Sequence, residues 1–274
     1  MSADARRLVR RFADTGSPRG TVLISHGYGE HSGRYLPLQE ALVGAGYDIA
    51  FYDHTGHGTS GGPRGRVDAG ALIRDHLAMR RLALAGARTP DLFLFGHSMG
   101  GVVTAASTLI DPERLRGTVL SAPAMRPLPP ASASLARKAA PLARLLPSLV
   151  VRPPEPAGGE SPLSRDPQVQ QAFDADPLCY HGGVQLLTGV TMVIQGDEVL
   201  RHAHLARTPI LVMHGSADRM ADLAASRDFV AEAEAANPGL DIRLRVIDGA
   251  YHELLNEPEG PGLIRDIIAW LGEH

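Results

Sequence analysis

The chain contains one cysteine, Cys179, and one lysine, Lys138. A lone thiol excludes an internal disulfide and, as an expectation, any cysteine-based zinc site. The scarcity of lysine beside many arginines reflects genomic base composition and says nothing of mechanism. Formal net charge is only -3, so there is no basic footprint and nucleic acid is not an expected partner. No apolar run approaches the ~20 residues of a membrane-spanning helix. Residues 1–12 hold four arginines and no apolar stretch, so no Sec-type signal peptide is expected. These absences together predict a soluble, cytoplasmic protein. The glycine-rich stretch Gly56 to Gly62 lacks both the lysine of a phosphate loop and Gly-x-Gly-x-x-Gly spacing, so it reads as a tight turn. His202 and His204 stand as an isolated pair, and no histidine and carboxylate group has metal-ligand spacing. Neither a metal nor another cofactor is expected.

What is present is a large core. With 274 residues, 44% of them apolar, the chain can form one large domain, or one domain carrying an insertion. Apolar runs at Thr21 to Ser25, Tyr47 to Asp53, Gly117 to Ser121, Ile210 to His214 and Ile242 to Ile247 read as buried strands. Helical spacing between them marks Arg34 to Gly44, Asp68 to Ala85 with Asp68 as cap, Ala221 to Ala236, and Gly262 to Leu271. Strand and helix in alternation predict an α/β fold, a mostly parallel sheet covered on both faces. Functional groups then belong on loops at the carboxyl ends of strands.

The most informative stretch is Asp91 to Gly101 with Val102 to Ala106 behind it: a short apolar strand, Gly96-His97-Ser98-Met99-Gly100, and a helix of small residues. A serine at the tip of a sharp strand-to-helix turn needs neighbours two places away that are nearly free of side chain, hence the two glycines. The five-residue pattern alone is weak evidence; the flanking strand and helix raise it. Ser98 is the candidate nucleophile. It requires a base and an acid that holds the base, and in this architecture they follow in the order serine, acid, histidine. Asp218 lies on a loop just past the strand Ile210 to His214, and His252 on the loop past Ile242 to Ile247. Asp222 falls at the start of the next helix, where it suits the helix dipole, and Asp248 suits the turn itself. His26 and His214 each end a strand beside a glycine, where loop-anchoring hydrogen bonds are the plain reading. Donors for a tetrahedral oxyanion are expected from the backbone N–H of Met99 and of Tyr28, in His26-Gly27-Tyr28-Gly29. Tyr28→Ala should therefore retain substantial activity, since the amide survives.

From Pro123 to about Ala206 the rhythm breaks. Of 21 prolines, 12 lie between Pro123 and Pro177, and no clear strand is evident. Leu135, Ala139, Leu142, Leu146 and Leu149 form one apolar helical face that Pro141 and Pro147 should kink or split, with Arg137, Lys138 and Arg144 off it. The expected division is a core of residues 1–122 and 207–274 and a mainly helical cap of residues 123–206. Either this insertion packs as an ordinary helical excursion, or it covers the site and turns an apolar surface and basic residues to lipid, a peripheral membrane contact.

Four blocks, His26 to Tyr35, Tyr52 to Gly61, Gly96 to Gly101 and His252 to Glu257, together resemble the monoacylglycerol lipase family of α/β-hydrolases, in order from about Thr21 onwards. Ser164-Arg165-Asp166-Pro167 and Asp176-Pro177-Leu178 resemble its bacterial branch. The resemblance implies a triad of Ser98, Asp218 and His252, oxyanion amides of Tyr28 and Met99, no cofactor, and hydrolysis of a monoacylglycerol to glycerol and fatty acid beneath a mobile apolar cap. A small lipid ester needs an apolar tunnel with a polar far end. Leu146, Leu149, Val150, Val184 and Leu187 are tunnel candidates that could equally be cap core. Glu30, His31 and Arg34 either reach the glycerol end or hold the preceding loop as an ion-pair cluster. Cys179 lies near a position where some relatives carry a cysteine by the alcohol site; a small buried filler is the plainer reading. The N-terminal strands look abbreviated, with only Arg7 to Asp14 ahead of the first sure strand, so seven strands or eight are expected. Two other functions fit less closely: a broader carboxylesterase or lysophospholipase on the same triad, and a non-catalytic ligand-binding homologue.

Overall fold

The computed structural model describes residues 8–151 and 161–274. Arg7 and the part of the expected cap at 152–160 lie outside the described residues. Strands β1 (Val9–Arg11), β2 (Thr21–Ser25), β3 (Asp48–Phe51), β4 (Leu92–His97), β5 (Leu115–Ser121), β8 (Ile210–Gly215) and β9 (Ile242–Ile247) form one sheet. Its order is β1-β3-β2-β4-β5-β8-β9. Only β1 runs antiparallel, pairing Val9 with Phe51 and Arg11 with Ile49. The described sheet thus has seven strands, the lower of the two expected numbers, and it is the sheet of an α/β-hydrolase fold.

Alternation along the strands explains why both faces are covered. Val22, Ile24, Phe93, Phe95, Val119, Leu211 and Met213 point to one side, where α1 (Leu36–Gly44) and α8 (Gly260–Gly272) bring Leu38, Leu42, Ile267 and Trp270. The intervening residues Leu23, Leu92, Leu94, Leu120, Ile210 and Val212 point to the other, against α2 (Ala69–Ala85), α3 (Ser98–Ile110) and α7 (Leu223–Ala236). A strand buried on both sides has no room for polar alternation, so it reads as a continuous apolar run. Helix starts follow local chemistry. The Asp68 side chain accepts from the Ala71 N–H at 3.1 Å, and Asp222 accepts from the Ala224 N–H at 2.9 Å, so it caps α7.

Between β5 and β8 lie α4 (Ala133–Leu145), β6 (Val150–Val151), α5 (Pro167–Ala175), β7 (Val184–Gln185) and α6 (Leu186–Arg201). One expectation needs correction: the segment does contain strand, since β6 and β7 pair antiparallel as a two-residue ribbon. The apolar helical face is split at Pro147, before which α4 stops, while the helix continues through Pro141. Pro141 is exposed, so the carbonyl it leaves unpaired one turn back can be hydrated and the helix continues. Small residues let α4 approach α6: Ala136 and Ala143 are buried with Val190, and Leu187 packs against them. The leucine face is the outer one, with Leu135, Leu142 and Leu145 exposed by half or more. In turn α6 seats on the core, where Thr188 and Thr191 accept from the N–H groups of Val67 and Ala69 at the start of α2.

Candidate active site

The turn between β4 and α3 is built by close packing. Ser98 has φ +52, a left-handed conformation that costs a β-substituted residue about 1–3 kcal/mol and persists only where its surroundings enforce it. They do. A Cβ at Gly96 would strike Thr104 and the Gly100 carbonyl, and one at Gly100 would strike the carbonyls of Ser25 and His26. Either substitution should push the helix off the sheet and lower the serine from its exposed tip.

Three loops converge on that serine. Ser98 Oγ lies 2.8 Å from His252 Nε2, and His252 Nδ1 lies 2.7 Å from Asp218 Oδ2. A carboxylate only accepts, so Nδ1 carries the proton and Nε2 is left to accept from the serine hydroxyl. Burial alone would lower the basicity of His252, but the charge and hydrogen bond of Asp218 outweigh it and hold the imidazole above its ordinary range. Burial would likewise raise Asp218, yet His252 and His214 hold it well below the usual carboxylate range. The remaining oxygen, Asp218 Oδ1, accepts from the N–H groups of Met220 at 2.7 Å and Ala221 at 3.0 Å. Each of these four partners of the carboxylate is a donor.

Asp248 instead accepts from Ser216 Oγ at 3.2 Å and steadies the turn. His214 does more than anchor a loop. Its Nε2 faces two acceptors, Asp218 Oδ2 at 3.2 Å and the Ala221 carbonyl at 3.1 Å, so it bears the proton, while Nδ1 accepts from Ser226 Oγ at 2.8 Å. The acid therefore sits between two histidines. Sequence reading missed that link, although a histidine four residues before the aspartate, at the end of the same strand, was the available signal. His97, whose ring centroid is 4.8 Å from that of His252, is kept neutral by burial and then by the His252 charge, and it walls the base from behind.

On the opposite side, the loop after β2 is braced from below. His26 Nε2 accepts from the His54 N–H at 2.9 Å, so its Nδ1 donates to the Gly27 carbonyl at 2.8 Å. Glu30 Oε1 accepts from the Gly27 N–H and the Tyr35 hydroxyl, both at 2.5 Å. Arg34 bridges Glu30 at 3.4 Å and Glu253 at 2.7 Å. Burial and the neighbouring Glu253 push the Glu30 carboxyl up to about 7 despite Arg34. Glu30 and Arg34 thus stand in an ion-pair cluster that holds the loop. Tyr28 donates through its hydroxyl to the Gly65 carbonyl at 2.8 Å, and among the described residues no acceptor faces its backbone N–H. The amide of Met99, in the first turn of α3, has no carbonyl one turn back within the helix.

The apolar candidates all lie between β5 and β8. Leu146 and Leu149 are about half exposed, at 48% and 54%. The Leu149 carbonyl accepts from the Leu186 N–H, and Val184 pairs with Val151. Glu253 is a neighbour of the site that sequence reading did not single out; it directly follows His252.

A family model described as "Serine aminopeptidase, S33" matches residues 16–259. A monoacylglycerol lipase of Mycolicibacterium smegmatis is 33% identical over 258 residues, spanning 94% of this chain and 89% of that protein. Human monoglyceride lipase is 31% identical over all of this chain and 89% of its own. Among solved structures, the monoacylglycerol lipase of Paleococcus ferrophilus superposes with a TM-score of 0.82 at 31% identity, covering 98% of this chain and 99% of that one.

Proposed function

Because the chain belongs to the monoacylglycerol lipase family of α/β-hydrolases and is a serine ester hydrolase, we propose that it cleaves monoacylglycerols to glycerol and free fatty acid through Ser98, His252 and Asp218. The observation that carries the reading is the unbroken line from Ser98 Oγ through His252 to Asp218, with separations of 2.8 Å and 2.7 Å. His252 Nε2 takes the hydroxyl proton as Oγ attacks the ester carbonyl, and Asp218 stabilises the imidazolium that forms. Negative charge on the former carbonyl oxygen is held by the N–H groups of Tyr28 and Met99. Collapse of the tetrahedral species breaks the bond to glycerol, whose oxygen leaves with the proton from His252. Water, deprotonated by the same histidine, then releases the fatty acid from Ser98.

Residues 123–206 serve in this reading as a cap on a core of 1–122 and 207–274. Their contacts support it, because the segment meets each loop of the site. The Ala124 N–H donates to the Ser98 carbonyl at 3.1 Å, the Tyr180 N–H to the Gly29 carbonyl at 2.7 Å, and the Glu253 N–H to the Leu163 carbonyl at 2.7 Å. Leu135, Leu142 and Leu145 on the outer face of α4, continued by Leu149 and Val150, offer an apolar surface to a bilayer. Arg137 is tied to Asp197 and Glu198 of α6, which leaves Lys138 and Arg144 for lipid headgroups.

A substrate panel tests the reading: monoacylglycerols from short to long chain, with di- and triacylglycerols and a lysophospholipid, presented both as monomers and in vesicles. Monoacylglycerols should be hydrolysed fastest, and Leu142→Ser with Leu145→Ser should slow only the vesicle arm. Preference for lysophospholipid or for short soluble esters would overturn the substrate; equal slowing in both arms would overturn the membrane contact.

The oxyanion assignment has its own test, a comparison of two alanine variants. Tyr28→Ala keeps the amide and should stay within about 10-fold of wild-type kcat. Glu30→Ala removes the acceptor that fixes Gly27 and should lower kcat by roughly 10- to 100-fold, a fraction of what a whole oxyanion donor is worth. If Tyr28→Ala is the more damaged of the two, the tyrosine side chain and not its amide matters.

A further inference from the structure

We propose that His31 Nε2, Asp176 Oδ2 and Cys179 Sγ form a binding site for a thiophilic divalent cation, Zn2+ being the representative case. The three ligand atoms lie within 4.8 Å of one another, and His31 Nε2 is already 2.8 Å from Asp176 Oδ2. One imidazole, one carboxylate and one thiolate suit zinc, whereas calcium or magnesium would require several oxygens. Tetrahedral bonds of about 2.0–2.3 Å need these atoms only a few tenths of an ångström to an ångström from where they stand.

The surroundings are preorganised for a cation. His31 Nε2 is turned to Asp176; with Nδ1 accepting from the Gly33 N–H at 3.2 Å it bears the ring proton, and a cation on Nε2 moves that proton to Nδ1 at the expense of the Gly33 contact. Asp176 Oδ1 accepts from the Leu178 N–H at 2.8 Å, leaving Oδ2 for the metal. The Cys179 carbonyl and its neighbour Leu178 receive Arg64, so the backbone carrying the thiol is held. Three carboxylates, Asp176, Glu30 and Glu253, stand beside two cations, Arg34, whose Nη1 is 3.9 Å from Sγ, and Arg64, which donates to the Cys179 carbonyl. Cys179 and His31 are buried, but the Asp176 side chain is 29% accessible, which provides an entry path and a place for a water as fourth ligand. Binding releases one proton, from Sγ, to solvent, while the His31 ring proton passes from Nε2 to Nδ1 so that the imidazole binds neutral.

His31 and Asp176 are 145 positions apart, so no sequence spacing could reveal the set. The lone cysteine that argued against a cysteine-based zinc site becomes one ligand of three once the fold supplies the other two. A bound ion would pin the segment 176–180 to the turn after the oxyanion loop. Any effect on turnover rests on the function proposed above; binding does not.

The test titrates tag-free, full-length chain with Co2+ and Zn2+. One equivalent of Co2+ should give the strong visible bands of four-coordination and a near-ultraviolet sulfur-to-cobalt charge-transfer band. Zn2+ should abolish both and raise the melting temperature. Cys179→Ala should lose the charge-transfer band and weaken Zn2+ at least ~10-fold. Asp176→Asn, at a partly exposed position, should keep the band and also bind Zn2+ at least ~10-fold more weakly. No charge-transfer band in the wild type, or Zn2+ affinity unchanged in either variant, overturns the site.

Discussion

Replacing Ser98 by alanine is expected to reduce ester hydrolysis by roughly 10⁶-fold in kcat, leaving only what binding and oxyanion stabilisation supply without a nucleophile. In the proposed reaction the Ser98 side chain is the one group that forms a covalent bond. His252 is oriented by Asp218 and walled by His97, and it would remain in place with nothing to deprotonate but water. Alanine also relieves no packing, because the left-handed turn at position 98 is enforced by Gly96 and Gly100 and not by the hydroxyl. The variant should fold, with its melting temperature close to that of the wild type. A fluorophosphonate probe supplies the second readout: one equivalent on the wild type, none on Ser98→Ala. Labelling that survives in Ser98→Ala would place the nucleophile elsewhere, and an unlabelled wild type would favour a non-catalytic homologue.

Asp218→Asn should lower kcat by about 10⁴-fold while barely changing the shape of the site. The size of the effect follows from the four N–H groups that converge on this carboxylate. If the amide nitrogen occupies the Oδ1 position, it opposes the N–H groups of Met220 and Ala221. If it occupies the Oδ2 position, it opposes His214 and forces His252 into the tautomer whose Nε2 already bears a proton and cannot serve as base. Neither orientation satisfies all partners. The pH profile carries the sign. In the wild type the Asp218 charge raises His252 above its ordinary range, so activity should appear as pH rises through that elevated value. With the charge gone, burial dominates and the imidazole gives up its proton more readily. Residual activity of Asp218→Asn should therefore begin at lower pH than in the wild type. An acidic limb that stays put would mean that another group sets it.

Much of the site could be singled out from the chain itself. Ser98, Asp218 and His252 each lie just past an apolar run that ends in small residues, and those positions follow from strand periodicity and turn chemistry. The glycines around Ser98 were legible because their requirement is steric and local. The bounds of β2, β8 and β9 and the capping of α2 by Asp68 follow from contiguous residues, and the structure places them within a residue or two of where those residues suggest.

Other features have no local signature. The ribbon of β6 and β7 pairs segments more than thirty residues apart, two residues on each side, too short for any periodicity to show. The leucines of α4 form an apolar stripe that in sequence suits either packing or exposure; in the fold the alanine face packs on α6 and the leucines stay outside. Periodicity identifies an apolar stripe; it does not say which stripe finds a partner, because close helix approach can select small side chains over large ones.

The sequence by itself determined the alternation of strand and helix, the strained serine turn and the chain order of the three candidate groups, since each depends on residues within one or two turns of one another. Only the tertiary structure decided that Asp218 lies between His252 and His214, that Glu30 pins Gly27 while sharing Arg34 with Glu253, and that His31 meets Asp176 and Cys179. His252 and Ser98 are 154 positions apart, Arg34 and Glu253 are 219. Contacts at such range are set by how the sheet orders its strands and aims their loops at one edge, and that order is a property of the packed core as a whole.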